Sequence, residues 1–121
     1  MRIGPGTSYP IRWVYHRRHL PVKIIEEFGN WRKVRDHEGE DGWIHRSLLS
    51  GHRTALVRAE TIAFHLHPSA ESPVIMQAKQ NVLGHLQQCT LDWCRLDIQN
   101  IRGWAKKSEL WGVFGEEIIE E

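Results

Sequence analysis

Short runs of alternating hydrophobic and polar residues predict β-strands in the first third of the chain. Val22, Ile24 and Ile25 lead to Phe28, and residues 31–35 alternate after the pair Gly29-Asn30. Glycine at the first position of a two-residue loop favours a type II′ turn. Because period-two alternation is typical of a half-buried strand, we predict a tight hairpin here.

The residues that follow predict a third short strand and a single helical turn. Residues 36–41, D-H-E-G-E-D, form a polar loop, and residues 42–45, G-W-I-H, have strand character. Residues 47–49 fit one helical turn, and the acidic tail, residues 115–121, is the one longer helix candidate. Segments this short at this spacing are typical of a small all-β barrel closed by hairpins.

The chain contains two copies of this pattern. The paired landmarks, in chain order, are Pro5 with Pro68, Pro10 with Pro73, Trp31 with Trp93, Trp43 with Trp104, and Leu49 with Leu110. The spacings agree to within one residue, and differences of one residue belong in hairpin loops. An ordered series of matches indicates an internal duplication.

Length and composition fit one ordinary domain or two very small ones. The chain has 121 residues, of which 40% are hydrophobic and 26% charged, and this composition excludes a disordered chain. No run approaches the roughly 20 apolar residues of a membrane-spanning helix. Together with the duplication, this predicts two domains, residues 1–57 and residues 58–121.

The charge balance argues against a nucleic-acid partner. Lys and Arg number 16 against 15 Asp and Glu, giving a net charge of +1, without the basic excess that phosphate contacts require. The halves differ, however. Residues 1–57 hold ten basic and six acidic residues, and residues 58–121 hold six and nine, so the halves carry +4 and −3.

Three segments of the first copy resemble the bacterial SH3-like domains. They read R-I-G-P-G-T-S-Y-P, W-R-K-V-R-D and D-G-W-I-H-R-S-L-L-S-G, and the second copy keeps the main landmarks but drifts elsewhere. The resemblance implies a tandem of two SH3-like barrels, each of five to six strands. It also implies a non-catalytic binding module, commonly exported and often acting on cell-wall peptides or protein partners.

The repeat exposes a gap at the start of the first copy. Residues 61–66 form a predicted strand ahead of Pro68, whereas only residues 1–4 precede Pro5. We expect the first barrel to lack most of its opening strand through an N-terminal truncation, the alternative being a natural short start. The chain shows no signal peptide. A periplasmic or secreted protein is expected if one was removed, and a cytoplasmic protein if Met1 is the native start.

Three aromatic residues of the first copy have no aromatic counterpart in the second. Tyr9, Trp13 and Tyr15 correspond to Ser72, Met76 and Ala78. Core aromatics should recur in a duplicated fold, whereas ligand contacts need not. We therefore predict that these three residues contribute to a ligand-binding surface, the alternative being that some of them cover the core.

Arg12, Trp31 and Lys33 extend this predicted surface. Trp31 begins a strand after the hairpin, and the two basic residues belong to the positive excess of the first half. Basic groups beside aromatic rings suit ligands that carry carboxylates or phosphates. The alternative is a solvated positive face. The tryptophans of the two G-W motifs, Trp43 and Trp104, are instead predicted to pack at the barrel ends.

Neither catalysis nor a cofactor is indicated. No serine or cysteine stands in a nucleophile-elbow context, and no glycine-rich phosphate loop is present. Eight histidines invite a metal or pH-sensor hypothesis, but the histidines and cysteines lack finger-like spacing. We expect surface histidines without a metal.

Two cysteines flank the predicted hairpin turn of the second copy. A two-residue turn at Leu91-Asp92 places Cys89 opposite Cys94. Counting outward from the turn predicts a non-hydrogen-bonded pair with Cα atoms about 4.5 Å apart, at the short end of disulfide geometry. A bridge and two reduced thiols both remain open, the bridge being favoured in an exported protein.

Two functions follow as hypotheses. The first is capture of a peptide or peptidoglycan-related cell-wall fragment in the cell envelope, mainly through the first copy. The alternative is a structural or assembly module that mediates protein–protein contacts or dimerisation. In that case four apolar residues near the end of the chain would pack, namely Trp111, Phe114, Ile118 and Ile119. The oligomeric state is left open.

Overall fold

The computed structural model describes residues 1–12 and 19–120 and is all-β, as predicted. The chain divides into two compact units, Met1–His52 and Arg53–Glu121, called unit 1 and unit 2 below. Two 3₁₀ turns, Arg46–Leu48 and Lys107–Glu109, accompany the strands. The strands of the described residues are β1 (Lys23–Phe28), β2 (Trp31–Arg35), β3 (Asp41–His45), β4 (Thr54–Val57), β5 (Thr61–His65), β6 (Val74–Lys79), β7 (Leu83–Cys89), β8 (Trp93–Ile98), β9 (Ile101–Lys106) and β10 (Leu110–Trp111).

Unit 1 is built on a three-stranded antiparallel sheet in the order β1-β2-β3. The first hairpin closes with Phe28 opposite Trp31. Its turn has a positive φ of 56° at Gly29 and none at Asn30, which is the pattern of the predicted type II′ turn. One face of this sheet carries the buried Val34.

Unit 2 is built on a seven-stranded sheet in the order β10-β4-β7-β8-β9-β5-β6. Its core draws side chains from most of these strands, because alternate residues of each strand point to the same face. The buried core residues are Ala55, Val57, Ile62, Phe64, Ala78, Cys89, Cys94, Leu96, Ala105 and Leu110.

The division between the units differs from the expected boundary after residue 57. β4 pairs with β7 through Thr54–His85 and with β10 through Val57–Leu110, so it lies inside unit 2. The repeat pattern does not place this strand in either unit, because sequence spacing carries no information about non-local pairing. The division in the structure falls between His52 and Arg53.

The duplication is visible in the hydrogen bonds as well as in the sequence. The Ile3 amide donates to the Pro10 carbonyl at 3.1 Å, and the Leu66 amide donates to the Pro73 carbonyl at 2.9 Å. The matching hairpins β1–β2 and β7–β8 also carry a β-bulge at equivalent positions, after Ile24 and after Leu86. The two units therefore share backbone detail that landmark residues alone do not show.

The acidic tail is not the helix that the sequence left open. Residues 115–116 form a turn, closed by a hydrogen bond from the Glu117 amide to the Phe114 carbonyl at 3.1 Å. Ile119 then pairs with β7: the Cys89 amide donates to the Ile119 carbonyl at 2.8 Å, and the Ile119 amide donates to the Cys89 carbonyl at 3.0 Å. Because both backbone groups of Cys89 face Ile119, the opposing pair with Cys94 is non-hydrogen-bonded, and the predicted register is correct. Cys89 and Cys94 are buried and form a disulfide, with Cα atoms 4.1 Å apart.

A charged clasp, defined as Arg53, Lys107 and Glu117, fixes the same tail. Arg53 Nη2 donates to Glu117 Oε1 at 2.8 Å, and Arg53 also donates to the Gly112 carbonyl at 3.0 Å. The Lys107 ammonium donates to the Glu117 carbonyl. The Arg53 guanidinium holds the pKa of the Glu117 carboxyl below its ordinary value, chiefly through the hydrogen bond.

Because the pKa of Glu117 is lower in the folded state, the clasp should stabilise unit 2 at neutral pH, and this stabilisation should be lost in acid. Its contribution is complete above the ordinary glutamate pKa of 4.5 and is lost as the pH falls through the lowered value. Glu117→Gln should cost about 1 kcal/mol at pH 7, since Arg53 stays partly exposed to screening. Unfolding curves at several pH values check this, and a difference that persists at the lowest pH would contradict it.

Candidate functional site

The glycine of each G-W motif lets another side chain lie directly against the strand that carries the tryptophan. A Cβ placed on Gly103 would lie 2.8 Å from the Phe64 Cβ, and one on Gly42 would overlap the Met1 side chain. Phe64 and Met1 occupy equivalent places in the two copies. Gly103 is therefore required by close packing, whereas Gly42 leaves room for a side chain that can move.

Four side chains form the aromatic face of unit 1: Trp31 and Lys33 of β2, and Trp43 and His45 of β3. They share one face of the sheet because Trp31 pairs with His45 and Lys33 pairs with Trp43. The Trp31 and His45 rings meet edge to face with centroids 5.4 Å apart. All four residues are half-buried, so each keeps surface that a ligand could contact.

Ion pairs border this face. Lys33 Nζ lies 3.9 Å from Glu26 Oε2, and Arg35 Nε donates to Asp41 Oδ1 at 2.7 Å. The hydrogen bond from Arg35 lowers the pKa of the Asp41 carboxyl below its ordinary value. The Lys33 pair is long and exposed, so its ammonium can be redirected to a ligand carboxylate at little cost.

The structure separates the predicted site residues. Trp31 and Lys33 lie together on the aromatic face. Arg12 Nη2 instead pairs with Glu40 Oε2 at 3.2 Å, in the loop beyond Arg35. Arg35 lies four positions along β2 from Trp31, which is about 13 Å in an extended strand, but only two positions from Lys33.

Tyr9 is linked to the aromatic face through Arg2. The Tyr9 ring lies against Gly4. The backbone carbonyl of Tyr9 accepts a hydrogen bond from Arg2 Nη1 at 2.8 Å. Arg2 in turn exchanges two backbone hydrogen bonds with Trp43, at 2.8 and 2.7 Å. Trp13 and Tyr15 lie outside the described residues, so their part in the predicted surface stays a prediction.

Unit 2 carries an equivalent face in which cations already occupy positions near the rings. Lys106 Nζ lies 6.0 Å from the Trp93 ring centroid, and Arg95 Cζ lies 5.9 Å from that of Trp104. The His65 ring meets Trp93 edge to face at 5.6 Å. Trp104 is 8% exposed, which fits the packing role predicted for it.

The sequence reasoning missed Trp43 and His45 as members of the aromatic face. Trp43 was assigned to packing alone, yet it stays half-exposed beside Lys33. The sequence contained a signal for both residues. Positions 43 and 45 alternate along one predicted strand, as positions 31 and 33 do along another, so each pair lies on one face of its strand. Reading β2 and β3 as a pair would have found both.

The described residues show no metal centre and no membrane span. Across residues 1–12 and 19–120, no three His, Cys, Asp or Glu side chains converge as metal ligands would. Within the same ranges, no helix has the length and apolar character needed to cross a bilayer.

Comparison with known proteins assigns the family. No curated protein shows significant similarity to the chain. The family described as "Bacterial SH3 domain" matches this chain twice, at residues 1–51 and at residues 59–112. The two matches reproduce the two copies found in the sequence, and together they cover most of the chain. The chain therefore belongs to the bacterial SH3 domain family, as a tandem of two such domains.

Proposed function

We propose that the chain captures a peptide or a peptidoglycan-related ligand, mainly through unit 1. Domains of this family are binding modules and are generally non-catalytic. The observation that carries the proposal is the aromatic face, on which Trp31 and Trp43 stay half-exposed beside Lys33. In unit 2 the equivalent of Trp43 is buried, which favours unit 1 as the principal site.

The chemistry of the aromatic face suits an extended peptide that carries a carboxylate. Tryptophan rings offer large, rigid contact area to apolar and backbone groups, and aromatic residues dominate binding energy in peptide grooves. The Lys33 ammonium supplies the counter-charge next to them. Tyr9, Arg12, Trp13 and Tyr15 are proposed to extend the contact area beyond this face.

Retention on purified peptidoglycan, and on a synthetic cell-wall stem peptide, tests the proposal. Trp31→Ala should weaken binding by about 30-fold, the loss typical of a central aromatic contact. Trp93→Ala, the matched change in unit 2, should leave retention nearly unchanged. The triple variant Tyr9→Ala, Trp13→Ala, Tyr15→Ala should also lose retention while its β circular dichroism persists. Equal losses in both units, or a wild-type protein that neither probe retains, would contradict the proposal.

The assembly function is the second candidate, favoured by the exposed apolar residues of the tail. Phe114 and Ile118 are exposed, whereas Trp111 and Ile119 are half-buried. Two exposed side chains offer a small patch that a second protein could cover. Sedimentation equilibrium of the wild type and of Phe114→Ser/Ile118→Ser decides, because an assembly through this patch must dissociate in the variant.

For the compartment, we propose export to the periplasm or the cell surface. The Cys89–Cys94 bridge supports this, since structural disulfides persist in oxidising compartments and are rare in a reducing cytosol. Both cysteines are buried, so reagents reach them only after unfolding. Alkylation of protein taken directly from cells and unfolded without reductant should find no free thiol, and two alkylated cysteines would refute the proposal.

A further inference from the structure

We propose that His45 contacts the ligand on the aromatic face, where its Nε2–H donates a hydrogen bond to a carboxylate of the captured peptide. The inference rests on the proposed function of that face. It adds the chemical group by which the ligand is recognised and the side chain that recognises it. The Lys33 ammonium supplies a second, charged donor to the same carboxylate.

The end of β3 determines which nitrogen of the His45 ring carries the proton. His45 is the N-cap residue of the 3₁₀ turn Arg46–Leu48, and the Ser47 amide donates to His45 Nδ1 at 3.2 Å. A backbone amide only donates, so Nδ1 accepts and the neutral ring carries its proton on Nε2. The Ser47 hydroxyl lies 2.8 Å from the same nitrogen and donates to it as well. The ring is thus held with its N–H donor directed away from the turn.

This donor has no acceptor within the protein. Within residues 1–12 and 19–120, every hydrogen bond of the His45 side chain is made by Nδ1. The ring is half-buried and meets the Trp31 ring edge to face, with centroids 5.4 Å apart. A few placed polar groups beside aromatic rings are what orients a ligand on an apolar surface. Nε2–H is such a group on the aromatic face.

Unit 2 shows that the 3₁₀ turn does not need this histidine. Lys106 occupies the equivalent position, and the turn Lys107–Glu109 forms without a side-chain cap bond. Lys106 Nζ instead lies 6.0 Å from the ring centroid of Trp93, the counterpart of Trp31. The feature that both copies keep at this position is therefore an N–H donor beside an indole ring. A donor that the turn does not require is available for a ligand.

The arrangement of the four side chains defines the group that the face recognises. Trp31 lies opposite His45 and Lys33 lies opposite Trp43, so the tryptophans occupy one diagonal and the N–H donors the other. Diagonal neighbours on antiparallel strands are about 7–8 Å apart, within reach of long side chains. An acceptor between the two donors can bind both while the rest of the ligand lies on the indole rings. A carboxylate fits best, because it has two acceptor oxygens and complements the charge of Lys33.

Long-range ¹H–¹⁵N correlation spectra of the whole chain test the tautomer. At about pH 8, where imidazole is neutral, the His45 ring should show an unprotonated Nδ1 and a protonated Nε2. The synthetic cell-wall stem peptide is then added to saturation. Exchange of the Nε2 proton with water should slow by about tenfold or more, because a hydrogen-bonded proton exchanges only after the bond opens.

Two substitutions of His45 separate the donor from the cap. His45→Asn keeps an oxygen that can cap the turn but has no N–H that reaches the ligand, and it should weaken peptide binding about tenfold. His45→Gln extends an N–H toward the position of Nε2 and should bind about threefold or more tightly than His45→Asn. Both variants lack the ring, so the loss of its contact with Trp31 is common to them. His67→Asn, a change at an exposed histidine of unit 2, should bind as the wild type does.

Amidated peptides identify the carboxylate. The stem peptide is compared with one form amidated at its terminal carboxylate and with another amidated at its internal carboxylates. One of these forms should bind the wild type about tenfold more weakly, and that form identifies the source of the recognised group. The same amidation should cost less in His45→Asn, because one of the two donors to the carboxylate is already missing.

Four results would overturn the proposal. They are a proton on Nδ1 in the free protein, wild-type binding by His45→Asn, equal binding by the asparagine and glutamine variants, and wild-type binding that neither amidation changes. If the wild type is retained on peptidoglycan and Trp31→Ala is not, each of these results rejects the role of His45 and leaves the proposed function intact. A wild type that binds neither peptidoglycan nor the stem peptide rejects both.

Discussion

Phe64→Ala should destabilise unit 2 by about 3–5 kcal/mol, the largest effect we expect from a single side-chain truncation in this chain. Phe64 is fully buried and is the largest such side chain in the core. It packs directly over Gly103, so its removal leaves a cavity that the neighbouring backbone cannot fill by a small shift. The cost therefore includes both the lost burial and the cavity.

Chemical denaturation followed by circular dichroism and tryptophan fluorescence measures this loss. Leu91→Ala is the matched control, because Leu91 is an exposed hydrophobic residue of the same unit and should change stability by at most about 0.5 kcal/mol. If the two variants lose similar stability, the core of unit 2 does not centre on Phe64.

Gly103→Ala should cost about 1–3 kcal/mol, and the matching Gly42→Ala should cost less. The new Cβ at 103 meets the Cβ of Phe64 at 2.8 Å, and that atom cannot move without its backbone. At 42 the new Cβ overlaps Cγ and Sδ of Met1, and this side chain can rotate away without a shift of the backbone. The carbonyl oxygen of Arg2 at 3.1 Å leaves a smaller residual strain.

Differential scanning calorimetry of the two variants tests this asymmetry. We expect the midpoint temperature of unfolding of unit 2 to fall clearly in Gly103→Ala. The midpoint temperature of unit 1 should fall only slightly in Gly42→Ala. A larger drop in Gly42→Ala would contradict the expected asymmetry and would mean that the Met1 side chain cannot move away from the new Cβ.

Local features of the fold were predictable from sequence, and non-local pairings were not. The Gly29-Asn30 turn and the register of Cys89 against Cys94 both follow from residues a few positions apart, and both predictions are confirmed. The placement of β4 depends on its pairing with strands distant in sequence, which alternation cannot specify. The tail was ambiguous for the same reason, since its path depends on contacts with Cys89 and Arg53.

The candidate site was predicted in part. Trp31 and Lys33 were identified and lie on one face, because period two along a single strand is enough to place them together. Arg12 lies elsewhere, since its partner Glu40 belongs to a loop whose path the sequence does not determine. Trp43 was not predicted to belong to the site, because a tryptophan that follows a close-packed glycine is typical of a core residue. Its place beside Lys33 depends on the pairing of β3 with β2.

The position of β4 determines how the chain can be divided for expression. β4 lies between β10 and β7, so a fragment that begins at residue 58 would lose one strand and open two edges at once. Open edges beside an apolar core promote association between copies. A fragment that begins at residue 53 would keep β4 and also Arg53, the partner of Glu117. The useful cut therefore lies ahead of the strand that the repeat pattern assigns to the first copy.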